Sequence, residues 1–194
     1  MKIGITPIPE SLVYEKINGR PVYYRGYREY LLGQKTEEEL MGSSYLQALV
    51  VSELFLLLSR HLDLDQYRIL PNELGLKMGR QSRRAADLAI IDKKRFQHIP
   101  VENKYLGEAP EVVIEIDTKA EVTDVGGLEN YYKKKTADLL NFGVKKVIWI
   151  FTEPRTILLA EPNSEWQIVG WDHEVEVLGN AHFCLQTIIN DTIA

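Results

Sequence analysis

The stretch LENYYKKKTADLLNFGVKKVIWIF (residues 128–151) decides the fold. At about 100° per residue, Leu128, Tyr132, Leu139 and Phe142 fall on one stripe, which predicts an amphipathic helix. Gly143 ends it as the residue past the C-cap. The segment KKVIWIF (145–151) then reads as a buried strand, and EVVIEID (111–117) upstream has the same apolar character. Runs so rich in Val and Ile belong to strands covered on both faces. The order strand, helix, strand therefore predicts a parallel pair joined by a right-handed crossover.

Outward from this unit, ADLAIID (86–92) is a further buried strand and YRILPNELGLKM (67–78) another strand candidate. SSYLQALVVSELFLLLSRHL (43–62) carries Leu46, Leu49, Val50, Leu54, Leu57 and Leu58 at helical spacing, with Ser43 or Ser44 as N-cap. Near the start, LVYEKINGRPVYYRGY (12–27) puts Asn18-Gly19 between two β-prone runs, a hairpin signal. After residue 151, RTILLAEP and WQIVGWDHEVEVL alternate with turn signals and predict antiparallel strands; AHFCLQTIINDTIA (181–194) is open between strand and helix. No repeat or linker interrupts 1–194, so one domain is expected. The fold class is α/β, a central mixed sheet flanked by helices, with an N-terminal hairpin and C-terminal antiparallel strands.

The chain has 194 residues, 26% charged, with net charge −5. That balance argues against a surface that grips nucleic acid everywhere, yet cations cluster in KMGRQSRR (77–84), KKR (93–95) and KKK (133–135). No secretory signal or membrane span is visible, so a cytoplasmic location is expected. Cys184 is the single cysteine, which excludes an internal disulfide and a cysteine-based zinc site. His61, His98, His173 and His182 show no metal-ligand spacing, and no phosphate-loop, dinucleotide or nucleophile-elbow motif is present.

Chemistry enters with three polar residues on buried elements. Lys133 and Lys134 project toward water, whereas Lys135 lies within the apolar stripe between Tyr132 and Leu139. An inward ammonium needs a partner, because burying it unpaired costs several kcal/mol or neutralises it. A lysine that snorkels to solvent is the other reading. Asp87 opens one buried strand and Glu115 stands inside another, and buried carboxylates are paired or bind metal. By strand alternation Val113, Glu115 and Asp117 share a face. Carboxylates without histidine or cysteine form an oxygen-only set suited to Mg2+ or Mn2+. The competing readings are a turn cap for Asp87 and a helix-to-sheet ion pair between Glu115 and Lys135.

The elements ADLAIID, VVIEIDTK and KKKTADLLNFGVKKVIWIF together resemble the Uma-two family, or domain of unknown function 820, of the PD-(D/E)xK nuclease superfamily. The resemblance extends over most of the chain, including YEKINGRPVYY. It implies a restriction-endonuclease-like fold, with the family's aspartate at Asp87, its glutamate at Glu115 and its lysine at Lys135. Ala86 stands where the family commonly has proline. Asp117 occupies the place of the superfamily's usual lysine, so the lysine comes from the helix, with Lys119 as a rival. Gln47 matches a histidine of relatives and receives no role.

The resulting expectation is an endonuclease that hydrolyses DNA phosphodiesters. Asp87 and Glu115, assisted by Asp117, hold Mg2+ or Mn2+; Lys135 steadies the transition state or orients water. Arg80, Arg83 and Arg84 meet the phosphate backbone or form a solubilising cluster. A homodimer is expected by analogy with nucleases that cut both strands. Two alternatives stand: a binding module that keeps the fold without catalysis, and a metal-dependent hydrolase of a small phosphorylated compound.

Overall fold

The computed structural model describes residues 8–193. A short 3-10 turn, Glu10–Leu12, leads into β1 (Val13–Ile17) and β2 (Arg20–Tyr23). Their turn places Asn18 at φ 49° and Gly19 at φ 80°, the left-handed pair that a two-residue hairpin requires. Two five-residue helices follow, α1 (Tyr27–Leu31) and α2 (Glu37–Met41), and then α3 (Tyr45–His61). Ser44 caps α3 by accepting from the Gln47 N–H at 3.1 Å, which places Gln47, Val50, Leu54 and Leu58 on its buried face.

The long antiparallel pair β3 (Tyr67–Lys77) and β4 (Arg83–Asp92) comes next, followed by α4 (Lys93–Phe96) and β5 (Val112–Ile116). The helix α5 (Leu128–Phe142) crosses over to β6 (Lys146–Phe151), which pairs with β5 in parallel from Val112↔Lys146 to Ile116↔Ile150. The crossover expected from the sequence is therefore present. β7 (Thr156–Ala160) and β8 (Gln167–Gly170) extend the sheet antiparallel. β9 (Glu174–Leu178) and β10 (Ala181–Cys184) form a separate hairpin before α6 (Leu185–Ile193), so the ambiguous C-terminal segment divides into a strand and a helix.

The main sheet has eight strands in the order β2-β1-β4-β5-β6-β7-β8, with β3 on β4. One apolar core unites α3, α6, β9 and β10 with Leu88, Ile114, Ile116, Ile148 and Ile150. The second lies under α5 and contains Val113, Trp149, Tyr131 and Leu139. Trp149 Nε1–H donates to Thr136 Oγ1 at 2.9 Å, which fixes the rotation of α5 on the sheet. One register detail differs from the helical stripe read in the sequence. Leu128, the first helical residue, is 43% exposed, and Tyr131 takes the buried position at that end.

A fork in the sheet positions the site. β3 pairs with β4 along almost its whole length, so the other edge of β4 serves two strands: β1 at Arg83 and β5 from Leu88 to Ile90. Between those pairings the edge from Arg84 to Asp87 has no strand beside it among the described residues. Backbone groups there need other partners, since buried N–H and C=O groups are almost always paired.

Candidate functional site

Carboxylates fill the fork. Glu15, the buried residue of β1, accepts from the Ala85 N–H at 3.0 Å. Asp87 accepts from the Ile116 N–H at 2.7 Å, lacing β4 to the end of β5. Glu115 points from β5 toward α5, on the same face as Val113. From α5, Lys135 reaches between the two strands, with Nζ 2.9 Å from Glu115 Oε2 and 2.9 Å from Glu15 Oε1. The helix period thus gives Lys135 an inward course, and it ends on paired carboxylates rather than in solvent.

Glu15 is the hub of this network. Its other oxygen accepts from Arg84 at 2.8 Å and from the Tyr131 hydroxyl at 2.8 Å. Arg84 also donates to Asp138 of α5 at 2.5 Å. Burial raises the Glu15 carboxyl, but the charges of Lys135 and Arg84 override it and lower the pKa to about 2. Lys135 is likewise penalised by burial, and the charges of Glu115 and Glu15 hold it protonated well above the ordinary lysine range. Glu115 is different. Burial, with Asp87 and Glu15 nearby, pushes it well above the carboxylate range despite Lys135. Its Oε1 is buried without a hydrogen-bond partner among the described residues. Asp87, 8% exposed, is also raised, mainly by burial.

Asp87, Glu115 and Lys135 are therefore brought together, and Asp117 is not. Asp117 follows the last residue of β5 at φ 54°, a left-handed conformation that breaks the strand alternation placing it on the Glu115 face. Its carboxylate accepts instead from the Thr152 N–H at 2.9 Å and the Thr152 hydroxyl at 2.6 Å. Among the described residues no group of three or more His, Cys, Asp or Glu side chains is arranged to hold a metal. The donor set available to a cation is thus two carboxylates, Asp87 and Glu115. They fit an oxygen-preferring divalent ion in one definite respect: the buried, unpartnered Glu115 oxygen is an acceptor that a neighbouring positive charge would satisfy.

The arginine cluster separates. Arg84 is buried and committed to Glu15 and Asp138, so it is no part of a phosphate-binding surface. Arg83 is partly exposed and pairs with Glu10 at 2.9 Å, while Arg80 lines an open cavity. Lys119 pairs with Glu73, and the lysine touching Glu115 is Lys135. Gln47 is buried and donates its amide to the Ile116 carbonyl at 2.8 Å. The end of β2 and the residue Arg25 beyond it are tied to the segment after β5: Arg25 N–H donates to Lys119 O at 2.7 Å and Glu121 N–H to Tyr23 O at 2.8 Å.

Sequence reasoning missed Glu15, Tyr131 and Asp138. No local signal marked them, because the burial of Arg84, which calls for further carboxylate, comes from its pairing with the distant Glu15.

No protein-family model matches the sequence, and no curated protein matches it significantly. Among solved structures the chain is similar to a "putative nuclease belonging to DUF820" from Anabaena variabilis ATCC 29413, with a TM-score of 0.66 and 18% identity. The match covers 95% of this chain and 93% of that one. The two share a fold: a large mixed sheet flanked by helices. The group named in that description is the one the sequence motifs resemble.

Proposed function

We propose that the chain is a divalent-cation-dependent nuclease that hydrolyses phosphodiester bonds of nucleic acid. One observation carries the reading. A fully buried lysine is held charged against a glutamate whose remaining oxygen is unpartnered, next to a second buried carboxylate. An unsatisfied buried acceptor costs about 1–3 kcal/mol, and a cation held by Glu115 would supply the missing partner. The shared fold supports the same reading.

Asp87 and Glu115 are the residues that would hold Mg2+ or Mn2+. When bound, such an ion polarises a phosphoryl oxygen and lowers the pKa of its water. The chain's own part is electrostatic. Lys135 stays protonated because two carboxylates face it, so it does not serve as a general base at neutral pH. It donates hydrogen bonds, and its charge would stabilise negative charge developing on a phosphoryl group or turn a water toward it. Glu15, with Tyr131 and Arg84 upon it, holds Lys135 in that place. Asp87 holds the end of β5 through Ile116 and so sets the position of Glu115.

A second reading has an observation of its own. Lys135 is saturated by Glu15 and Glu115, and Asp117 has turned away, as expected for a binding module that retains the fold without catalysis. Incubation with DNA and Mn2+ separates the two: the nuclease cuts, and Asp87→Asn, Glu115→Gln and Lys135→Met each stop it. A wild-type chain that binds DNA and leaves it intact fits the module.

A further inference from the structure

We infer that the nucleic acid this chain binds is a single strand, its backbone running through a basic cavity beside the fork and a base lying against Tyr105. The part concerning access to the buried centre rests on the nuclease reading; the binding itself does not.

The cavity holds about 490 Å3 and lies between β1, the β3–β4 turn and the segment around residue 104. Lys16, Lys77, Arg80, Arg83 and Lys104 line it, with no carboxylate among the lining residues. On a chain of net charge −5 that is a marked local reversal. Among the described residues Lys77 and Arg80 form no ion pair, while Lys16 and Arg83 share Glu10 and Lys104 pairs with Glu102. Glu10 and Glu102 are well exposed, and such solvated pairs are worth only about 0–1 kcal/mol. Phosphates can exchange with them at little cost.

Tyr105 supplies the flat surface. It is 50% exposed, and the Arg83 guanidinium sits 5.7 Å from its ring centroid. Its ring rests on Gly75, where a Cβ would clash with it. A second cavity of about 130 Å3 shares Arg83 and Tyr105 with the first and continues past Tyr24, Glu73 and Ala85 to Tyr14. The Tyr14 ring centroid is 5.8 Å from Lys135 Nζ. Glu73 is the one acid on this course, and Lys119 pairs with it.

A charged groove with aromatic faces is the arrangement that suits unpaired strands, whose bases are free to stack. A duplex keeps its bases stacked inside and is far too wide for the inner passage.

The test is fluorescence anisotropy of the full chain with labelled oligothymidylate and with a duplex of equal length, in EDTA, so that binding is read without cleavage. The strand should exceed the roughly 4–16 nucleotides such a groove covers. The single strand is expected to bind at least about tenfold more tightly than the duplex, and Tyr105→Ala to weaken it about fivefold or more. Lys77→Ala with Arg80→Ala should lower the slope of log affinity against log salt by about 1.4, near 0.7 per phosphate contact. Equal affinity for duplex, or variants that bind like wild type with unchanged thermal midpoints, overturns the inference. Addition of Mn2+ then distinguishes the two proposals. A strand bound in this way but never cut supports the inference and defeats the nuclease reading. A duplex that is cut while single strands go unbound defeats the inference and leaves the nuclease.

Discussion

Lys135 Nζ on the crossover helix lies 2.9 Å from Glu15 Oε1 on the first strand, and both side chains are fully buried. This contact ties α5 to β1 and, with the Lys135–Glu115 contact, bridges the two strands of the fork. Glu15 neutralises Lys135, and Arg84 in turn supports Glu15, so Glu115 is left as the carboxyl that burial pushes well above the carboxylate range.

Removing the Glu15 charge tests that arrangement through stability. The Glu15 pKa is lowered in the fold to about 2 from an ordinary 4.5. A depressed carboxylate contributes stability that is complete above about pH 4.5 and is lost as pH falls toward 2. Glu15→Gln leaves Lys135 and Arg84 undercompensated, and breaking such a buried pair costs about 3–5 kcal/mol. Urea titrations should show that loss at pH 7, with a shallower decline of stability between pH 4.5 and 2 than in wild type. An unchanged acid-side slope would mean that Glu15 is not the ionised partner.

The double change Glu15→Gln with Lys135→Met separates structure from chemistry. Replacing a whole buried pair by neutral groups of similar volume is often close to neutral. The double variant should therefore be more stable than Glu15→Gln alone, by at least about 1 kcal/mol in the same titrations. Strict additivity of the two single changes would deny the coupling.

Asp117 offers a contrast. Asp117→Ala removes both acceptors of Thr152 and places alanine at φ 54°, an expected loss of about 1–3 kcal/mol. Asp117→Asn tolerates the backbone and keeps one acceptor, so it should lose about 1 kcal/mol or less. Its thermal midpoint should still rise with Mn2+ as in wild type. A vanished response would make Asp117 a ligand after all.

Cation binding is read most simply from thermal midpoints. A ligand at a hundredfold its Kd stabilises a fold by about 2.7 kcal/mol. Wild type should gain in Mn2+, while Asp87→Asn and Glu115→Gln should not. Both variants keep side-chain shape, and Asp87→Asn keeps an acceptor for the Ile116 N–H. A gain that persists in both would place the ion elsewhere.

What the sequence revealed and what it concealed follow from the range of the interactions. Lys135 was legible because α5 is 15 residues long and packs along one face, so its period points inward without knowledge of the partner. Asp87 and Glu115 were legible because they interrupt apolar strands. Glu15 was not, since β1 is short and its register shifts between Val13 and Glu15, so no alternation marks Glu15 as inward. Its partners Arg84 and Tyr131 lie 69 and 116 residues away in the chain. Arg84 looked like one more surface cation in RQSRR, and only that distant pairing draws it inside. Asp117 was misplaced by assuming that alternation continues past the strand, where φ turns positive. Membership of the mixed sheet was clear from the βαβ unit; the fork in β4, which depends on where two strands end, was not.

The most direct measurement is cleavage of end-labelled single-stranded DNA by purified protein in Mn2+, compared with Lys135→Met at matched folded fraction. The account predicts that wild type cuts, that EDTA stops it, and that Lys135→Met loses at least about a hundredfold in rate, the scale of one lost electrostatic donor. Cutting by Lys135→Met at the wild-type rate would contradict it, as would a wild-type chain that binds Mn2+ and DNA together and cuts nothing.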